Sequence, residues 1–515
     1  MQPLEVIYAG AYAQDEWEVS KGLKLTLGLR FDVPMFGETG FANTNADALS
    51  FMDEDGKTVK YSTAKLPDAN ILFSPRFGFN WDVTGDRSTQ IRGGSGIFTG
   101  RPAYVWISNQ IGNTGVLTGF ESKSNPTDRP FNPNPNAYKP ATVTGAPATS
   151  YELALTDPDF KFPQQWRSNI AIDQKLPFGV IGTAEFLYSR EVNGIYYINA
   201  NLAKPNTSFA GADDRPRWTT SNRINANVAN AVVLKNQNEG SSWSFSASLE
   251  KPFSEGLFAK IAYNYAESRN TVDAGSIAFG SWNNNQHAGN PNDPGVGYSI
   301  NSPGHRVFGS ISYRYEYFDF GATTVSLLWE GATPSNASYA FSGDLNGDGG
   351  TSNDLIYIPK DKSEMNFEQY TSSGVTFTAA QQADAWEAYI KQDEYLNANR
   401  GKYAERGSVF LPMVYRADLG VVQEVFGDFL GKRNTLQIRL DILNLGNLLN
   451  KEWGGGQRLV NSQPLIVSSA KADANGKALY RLRNIGASLM STTFEKTASI
   501  FDVYRIQLGV KYFFN

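Results

Sequence analysis

The sequence predicts an all-β chain, a transmembrane antiparallel β-barrel of about thirteen strands with long loops and one loop helix. Three observations carry this expectation. Apolar and polar residues alternate in long runs down the whole chain; short and long connections follow one another in strict alternation; and a polar average coexists with a heavy aromatic load.

Among 515 residues there are 48 Gly, 25 Tyr, 32 Phe and 10 Trp, and aromatics make up 13%. Mean hydropathy is -0.37. Strands with one face to lipid and one to water need both properties. A secreted β-sandwich or propeller is also rich in Gly and aromatics, so composition does not choose between them. Cysteine is absent, which removes disulfides and thiolate metal sites. Only His287 and His305 are present, leaving little room for His-based zinc or triad chemistry. Net charge is -5 with no basic run, and no nucleic-acid partner is expected. No stretch approaches the ~20 apolar residues of a spanning helix. Met1-Gln2-Pro3-Leu4-Glu5 does not open a signal peptide, which suggests that the numbering starts inside a longer gene product.

The alternation is plain at both ends and in the middle. Leu23, Leu25, Leu27, Leu29 and Phe31 alternate with Lys24, Thr26, Gly28 and Arg30. Leu257, Ala259, Ile261, Tyr263 and Tyr265 oppose Lys260 and Asn264, and Leu436, Ile438, Leu440 and Ile442 oppose Gln437, Arg439 and Asp441. Tyr504, Ile506, Leu508, Val510, Tyr512 and Phe514 close the chain against Arg505, Gln507, Gly509, Lys511 and Asn515. With their flanks these runs reach the ~9–11 residues of a bilayer-crossing strand, whereas soluble strands average about five or six.

Short turns are expected at Ser20-Lys21-Gly22, Thr84-Gly85-Asp86, Pro177-Phe178-Gly179, Ser254-Glu255-Gly256, Phe318-Asp319-Phe320 and around Gly427 to Arg433. Between them lie long polar loops near 35–68, 102–162, 194–228, 270–303, 333–410 and 449–500. Outer-membrane barrels alternate in this way, and a compact soluble domain does not carry so many long loops. Trp17, Trp81, Phe253, Tyr315 and Phe426 stand near the short turns, where a girdle of rings at the headgroup level is expected. An odd strand count cannot close a simple up-and-down barrel, so either further strands come from upstream sequence or another chain, or the count of passes is off by one. Thr378 and Gln381 form a capping box for a helix from Ala379 to Leu396, with Ala383, Trp386, Tyr389 and Ile390 on one face.

Particular stretches resemble a known family. Tyr12-Ala13-Gln14-Asp15-Glu16-Trp17 with Leu27-Gly28-Leu29-Arg30-Phe31-Asp32 is similar to an early barrel hairpin of TonB-dependent receptors. Ser74-Pro75-Arg76-Phe77-Gly78-Phe79, Arg92-Gly93-Gly94-Ser95-Gly96-Ile97-Phe98 and Asp441-Ile442-Leu443-Asn444-Leu445-Gly446-Asn447 resemble later strands. Asp344-Leu345-Asn346-Gly347-Asp348-Gly349, Asn353-Asp354-Leu355-Ile356-Tyr357-Ile358-Pro359 and Arg400-Gly401-Lys402-Tyr403-Ala404-Glu405-Arg406 look like the Oar-like branch. The resemblance spans essentially the whole chain. It implies a 22-stranded barrel in the bacterial outer membrane, with extracellular loops, a periplasmic C-terminus and a plug that works with the TonB system to admit a bulky ligand. Neither a plug nor a TonB-contacting segment is recognised in this sequence, which is expected to supply residues 1–515 of a partial barrel domain. The alternative is a passive pore, or an assembly component whose loops bind a surface lipoprotein or another protein partner.

The sharpest local candidate is a calcium site. Asp344, Asn346 and Asp348 alternate, Gly349 follows, Gly350 offers a carbonyl and Asp354 stands one residue short of the last EF-hand position. The competing reading is a polar turn rich in Asp, Asn and Gly. Catalysis gains no support: Asp15 with Glu16 and Asp213 with Asp214 are adjacent carboxylates with no sign of a cleft. Arg92-Gly93-Gly94-Ser95-Gly96 sits in a strand pattern, not ahead of a helix as a phosphate loop would. Arg30, Arg76, Arg92 and Arg439 are expected on the inner face, as plug or ligand contacts or as solvated wall residues. Trp218, Trp282 and Trp386 in the loops suggest stacking on sugar or peptide.

Overall fold

The computed structural model describes residues 4–38, 42–116, 126–139, 150–429 and 432–514. Thirteen long strands form one antiparallel meander in chain order. They are β1 (Val6–Ser20), β2 (Leu23–Phe36), β3 (Leu72–Asp82), β4 (Thr89–Thr99), β5 (Gln164–Lys175), β6 (Ile181–Val192) and β7 (Ser241–Ser254). There follow β8 (Leu257–Asn270), β9 (Gly304–Tyr317), β10 (Gly321–Ala332), β11 (Val414–Phe429), β12 (Lys432–Leu443) and β13 (Arg505–Phe514). A two-residue strand, Gly297–Tyr298, pairs with the end of β8. Among the described residues β1 pairs only with β2, and β13 only with β12.

Strand lengths run from 10 residues in β13 to 16 in β11, at or beyond what a tilted crossing needs. Register keeps the apolar positions of successive strands side by side. One rung runs Leu23, Trp81, Ile91, Ile172, Ala184, Ala247, Tyr263 and Val307 from β2 to β9. Another runs Ile311, Leu327, Leu419, Ile442 and Ile506 from β9 to β13. Because side chains alternate strictly between faces, a one-residue slip would invert a whole strand. The opposite face is laced by ion pairs: Arg92–Asp173 at 3.0 Å, Lys260–Glu250 at 2.8 Å and Arg314–Glu424 at 2.9 Å.

The glycine-rich stretch lies inside β4, as the strand pattern predicts. A Cβ at Gly93 would stand 2.6 Å from the Asn169 carbonyl oxygen, and one at Gly94 would stand 2.8 Å from that of Phe77. Glycine is required there by close backbone approach.

Five of the six short turns fall where expected, and the sixth, Gly427 to Arg433, has its centre (430 and 431) outside the described residues. Asn515 is also outside them, and the last strand starts at Arg505, one residue after Tyr504. The loop expected near 194–228 is longer: Val228–Gln237 leaves the wall and pairs with Gly194–Asn199 and, in parallel, with Tyr151–Thr156. Its apolar run is satisfied by another loop, not by the wall.

The long connections are folded. The large, fully buried side chains Phe160, Phe162, Trp282, Tyr339, Phe341, Trp386 and Tyr389 all lie in them. One core joins connections 193–240, 333–413 and 444–504 through Phe209, Phe341, Trp386, Ile390, Leu465 and Leu482. A second gathers Leu66, Ile107, Phe162, Trp218 and Trp282.

Two expectations about helices need correction. The capping box stands, with the Gln381 amide N–H donating to Thr378 Oγ1 at 3.3 Å and the Thr378 N–H to Gln381 Oε1 at 2.9 Å. The helix, however, ends at Gln392, and Glu394–Ala398 begins a second one. Asp393 makes the break: its carboxylate accepts the Leu396 N–H at 2.9 Å and the Tyr339 hydroxyl at 2.6 Å. Nor is there a single loop helix. Tyr104–Gly112, Ala278–Asn283 and shorter pieces are also helical, held by tertiary packing of residues such as Ile107 and Trp282 and too short to show a period. No helix among the described residues is long and apolar enough to cross a membrane.

Candidate metal centre

Three long connections meet at one polar cluster inside the loop assembly. Arg215 comes from the β6–β7 connection, His287 from β8–β9, and Asp344 to Asp354 from β10–β11. The guanidinium of Arg215 is buried and bonds three ways. Nε lies 2.8 Å from Asp213 Oδ1, Nη1 3.3 Å from Asp354 Oδ1, and Nη2 donates to the Leu355 carbonyl at 2.7 Å. Tyr403 donates its hydroxyl to Asp213 and Asp214, each at 3.1 Å, and its ring stands 5.0 Å from the guanidinium. Asp213 is thus the anionic partner in a structural ion pair, and Asp214 joins the cluster through the Tyr403 hydroxyl.

The Asp344–Asp354 segment is a tight turn that folds its own side chains inward. Asp344 accepts the Gly347 N–H at 2.7 Å, the Gly349 N–H at 3.2 Å and the Ser469 hydroxyl at 3.1 Å. Asn346 accepts the Asp348 N–H at 3.0 Å, and Asp348 accepts the Gly350 N–H at 2.7 Å. Gly350 packs so closely on the Asn353 amide that any side chain there would collide. Asp354 accepts the Leu345 N–H at 2.8 Å.

His287 is held against this turn by its backbone. Its N–H donates to the Asn353 carbonyl at 2.8 Å, and its own carbonyl accepts the Leu355 N–H at 2.9 Å. The ring is fully buried, with Nε2 3.3 Å from Asp348 Oδ2. Both ring nitrogens, Asp348 Oδ2 and both amide atoms of Asn353 lack a hydrogen-bond partner. One ligand atom each from His287, Asp348 and Asp354 fits within 4.8 Å of the others. Burial, with the Asp348 charge next, pushes the Asp354 carboxyl up to about 7, against the pull of Arg215 and His287. Asp344 is pushed up to about 6 by burial and then by Asp348.

Of the five residues selected from the turn's spacing, Asp348 and Asp354 therefore face His287, while Asp344 and Asn346 cap loop N–H groups and Gly350 makes room. His287 and Arg215 carry no local spacing signal.

The wall residues singled out from sequence are mostly self-neutralised. Arg30 pairs with Asp32 at 2.8 Å, Arg92 with Asp173, and Arg439 with Asp441 at 2.7 Å, and Arg76 lies 4.6 Å from the Phe98 ring centre. Glu16 pairs with Lys24. Trp218, Trp282 and Trp386 are core residues, only 4%, 1% and 0% exposed, so they offer no stacking surface. Trp17, Trp81, Phe253 and Tyr315 are exposed beside the short turns. Phe426 instead points to the polar face, under Arg314 at 5.9 Å.

The wall defines the class. The family model described as "Outer membrane beta barrel domain" matches residues 4–462, and this chain belongs to that family and to the outer membrane. Among solved structures it is similar to the copper transporter OprC, with 10% identity over 86% of this chain and 43% of that one, at a TM-score of 0.38. The outer membrane transporter YddB from Escherichia coli gives 13% identity, 93% and 53% coverage and 0.39. The FrpB iron transporter from Neisseria meningitidis (F5-1 variant) gives 12%, 86%, 42% and 0.40. The chain spans about half the length of these proteins. No curated protein sequence matches it.

Proposed function

We propose that this chain is the wall and loop assembly of a TonB-dependent receptor of the Oar-like branch, a transport protein and not an enzyme. The supporting observation is the meander of thirteen membrane-length strands whose alternate connections are long and folded around their own apolar cores. Folded loops present a fixed surface, which suits recognition of a bulky ligand before uptake. In this reading the barrel closes at twenty-two strands, the loops face outward, and the short turns and C-terminus face the periplasm and TonB.

The test uses full-length protein in cells and in planar bilayers. A receptor of this kind crosslinks to the periplasmic domain of TonB from its short-turn side and carries no steady current, because a plug fills the barrel. Open-channel conductance without TonB crosslinking would replace this reading by a passive pore. The folded loops also suit a surface lipoprotein or other protein partner, and a co-purifying partner with no TonB contact would favour an assembly role.

A further inference from the structure

We propose that His287, Asp348 and Asp354 bind one divalent metal ion of the zinc class, which pins three loops together. This inference stands apart from what passes through the barrel.

Three features carry it. First, His287 and Asp348 meet without forming a hydrogen bond, at a distance that suits a shared metal. Neither His287 Nε2 nor Asp348 Oδ2 meets hydrogen-bond geometry. Ligands about 2.0–2.1 Å from zinc stand about 3.3 Å apart along a tetrahedral edge, and the observed separation is 3.3 Å. Second, fully buried polar atoms without partners are costly, yet His287 leaves both ring nitrogens unpartnered, and Asn353, next to Asp354, leaves its whole amide so. A metal would satisfy a ring nitrogen and the free oxygen of Asp348 together, and the Asn353 oxygen is a candidate for the fourth position. Third, charge is out of balance. Asp213 and Asp354 share a single guanidinium, Arg215, while Asp348 lies against the His287 ring, and a divalent cation closes the difference.

An Asp–Asn–Asp turn alone would suit Ca²⁺, which takes six to eight oxygen ligands. The imidazole shifts the preference, because neutral His is a ligand for borderline metals and not for hard ones. The ion is structural: it ties the β8–β9 connection to the β10–β11 connection, and Asp354 carries the link through Arg215 to the β6–β7 connection.

The experiment takes full-length protein in detergent, strips it with a chelator, and titrates it with Zn²⁺ alone or Ca²⁺ alone. Bound metal is measured by mass spectrometry and loop protection by hydrogen exchange. The expected result is one Zn²⁺ per chain, slower exchange in all three connections, and loss of both in His287→Gln. Co²⁺ in the wild type is a second readout that needs no variant, with intense visible bands expected from a four-coordinate site containing imidazole. Absence of Zn²⁺ binding, Zn²⁺ binding that survives in a folded His287→Gln, weak six-coordinate Co²⁺ bands, or protection by Ca²⁺ only would each overturn the proposal.

Discussion

Arg215 holds two carboxylates in the interior of the loops, Asp213 at 2.8 Å and Asp354 at 3.3 Å, with its guanidinium almost wholly shielded from solvent. The desolvation of such a group is recovered only while both partners stay in place. Replacing it with the similarly long, neutral Met strands two anions, and removing one partner of a buried pair typically costs about 3–5 kcal/mol. Arg215→Met is therefore expected to lower the unfolding midpoint of the loop assembly, and Arg215→Met combined with Asp213→Asn is expected to recover part of that loss. A double variant that loses the sum of the two single losses would show that the two residues do not interact. The same cluster shows what a sequence reveals at this scale. Asp348 was recognisable because alternation of Asp and Asn ahead of Gly is a local pattern, and Asp354 because it stands one residue short of the last position of a twelve-residue loop. Their partners were not, since His287 and Arg215 reach the turn from separate connections, and spacing carries no information across that gap.

The β10–β11 connection supplies most of the larger loop core, and its principal helix is the most readable loop element. Trp386, Tyr389 and Ile390 lie on the face that the helical period predicts, and all three are fully buried. Trp386 stacks on Tyr389 with ring centres 5.1 Å apart. Trp386→Ala should cost about 3–5 kcal/mol, the usual range for emptying a large aromatic site. The loss should appear as faster hydrogen exchange in residues 333–413 and 444–504, which share that core, with exchange in β9 to β12 unchanged. Acceleration spreading equally through the wall strands would show that loops and wall unfold as one unit. The rest of the loop structure was hidden for a physical reason. Strands announce themselves through a two-residue period imposed by two different solvents. A loop core is assembled from scattered residues such as Phe209, Phe341 and Leu482, which have no period to read. Val228–Gln237 fell between the two cases, being an apolar strand that belongs to a loop sheet.

Across the whole molecule, one apolar surface is continuous through the registers of all thirteen strands, and the polar surface behind it is tied by ion pairs. Strand number and alternation were both legible, since the membrane imposes them residue by residue. β12 allows a sharp test, because Ile438 and Gln437 are neighbours at the same depth on opposite faces. Ile438 sits between Gln423 and Val510, in line with exposed Leu436 and Leu440. Gln437 donates to Glu424 at 3.1 Å and stands opposite Lys511. An arginine on a lipid-facing site near the midplane costs about 2–4 kcal/mol, whereas an inward one remains hydrated. Ile438→Arg should therefore lower the unfolding free energy in lipid vesicles by that amount, while Gln437→Arg keeps Glu424 as a partner and stays close to wild type. Equal penalties for the two, or a larger one for Gln437→Arg, would mean that the apolar face of β12 meets protein or water instead of hydrocarbon.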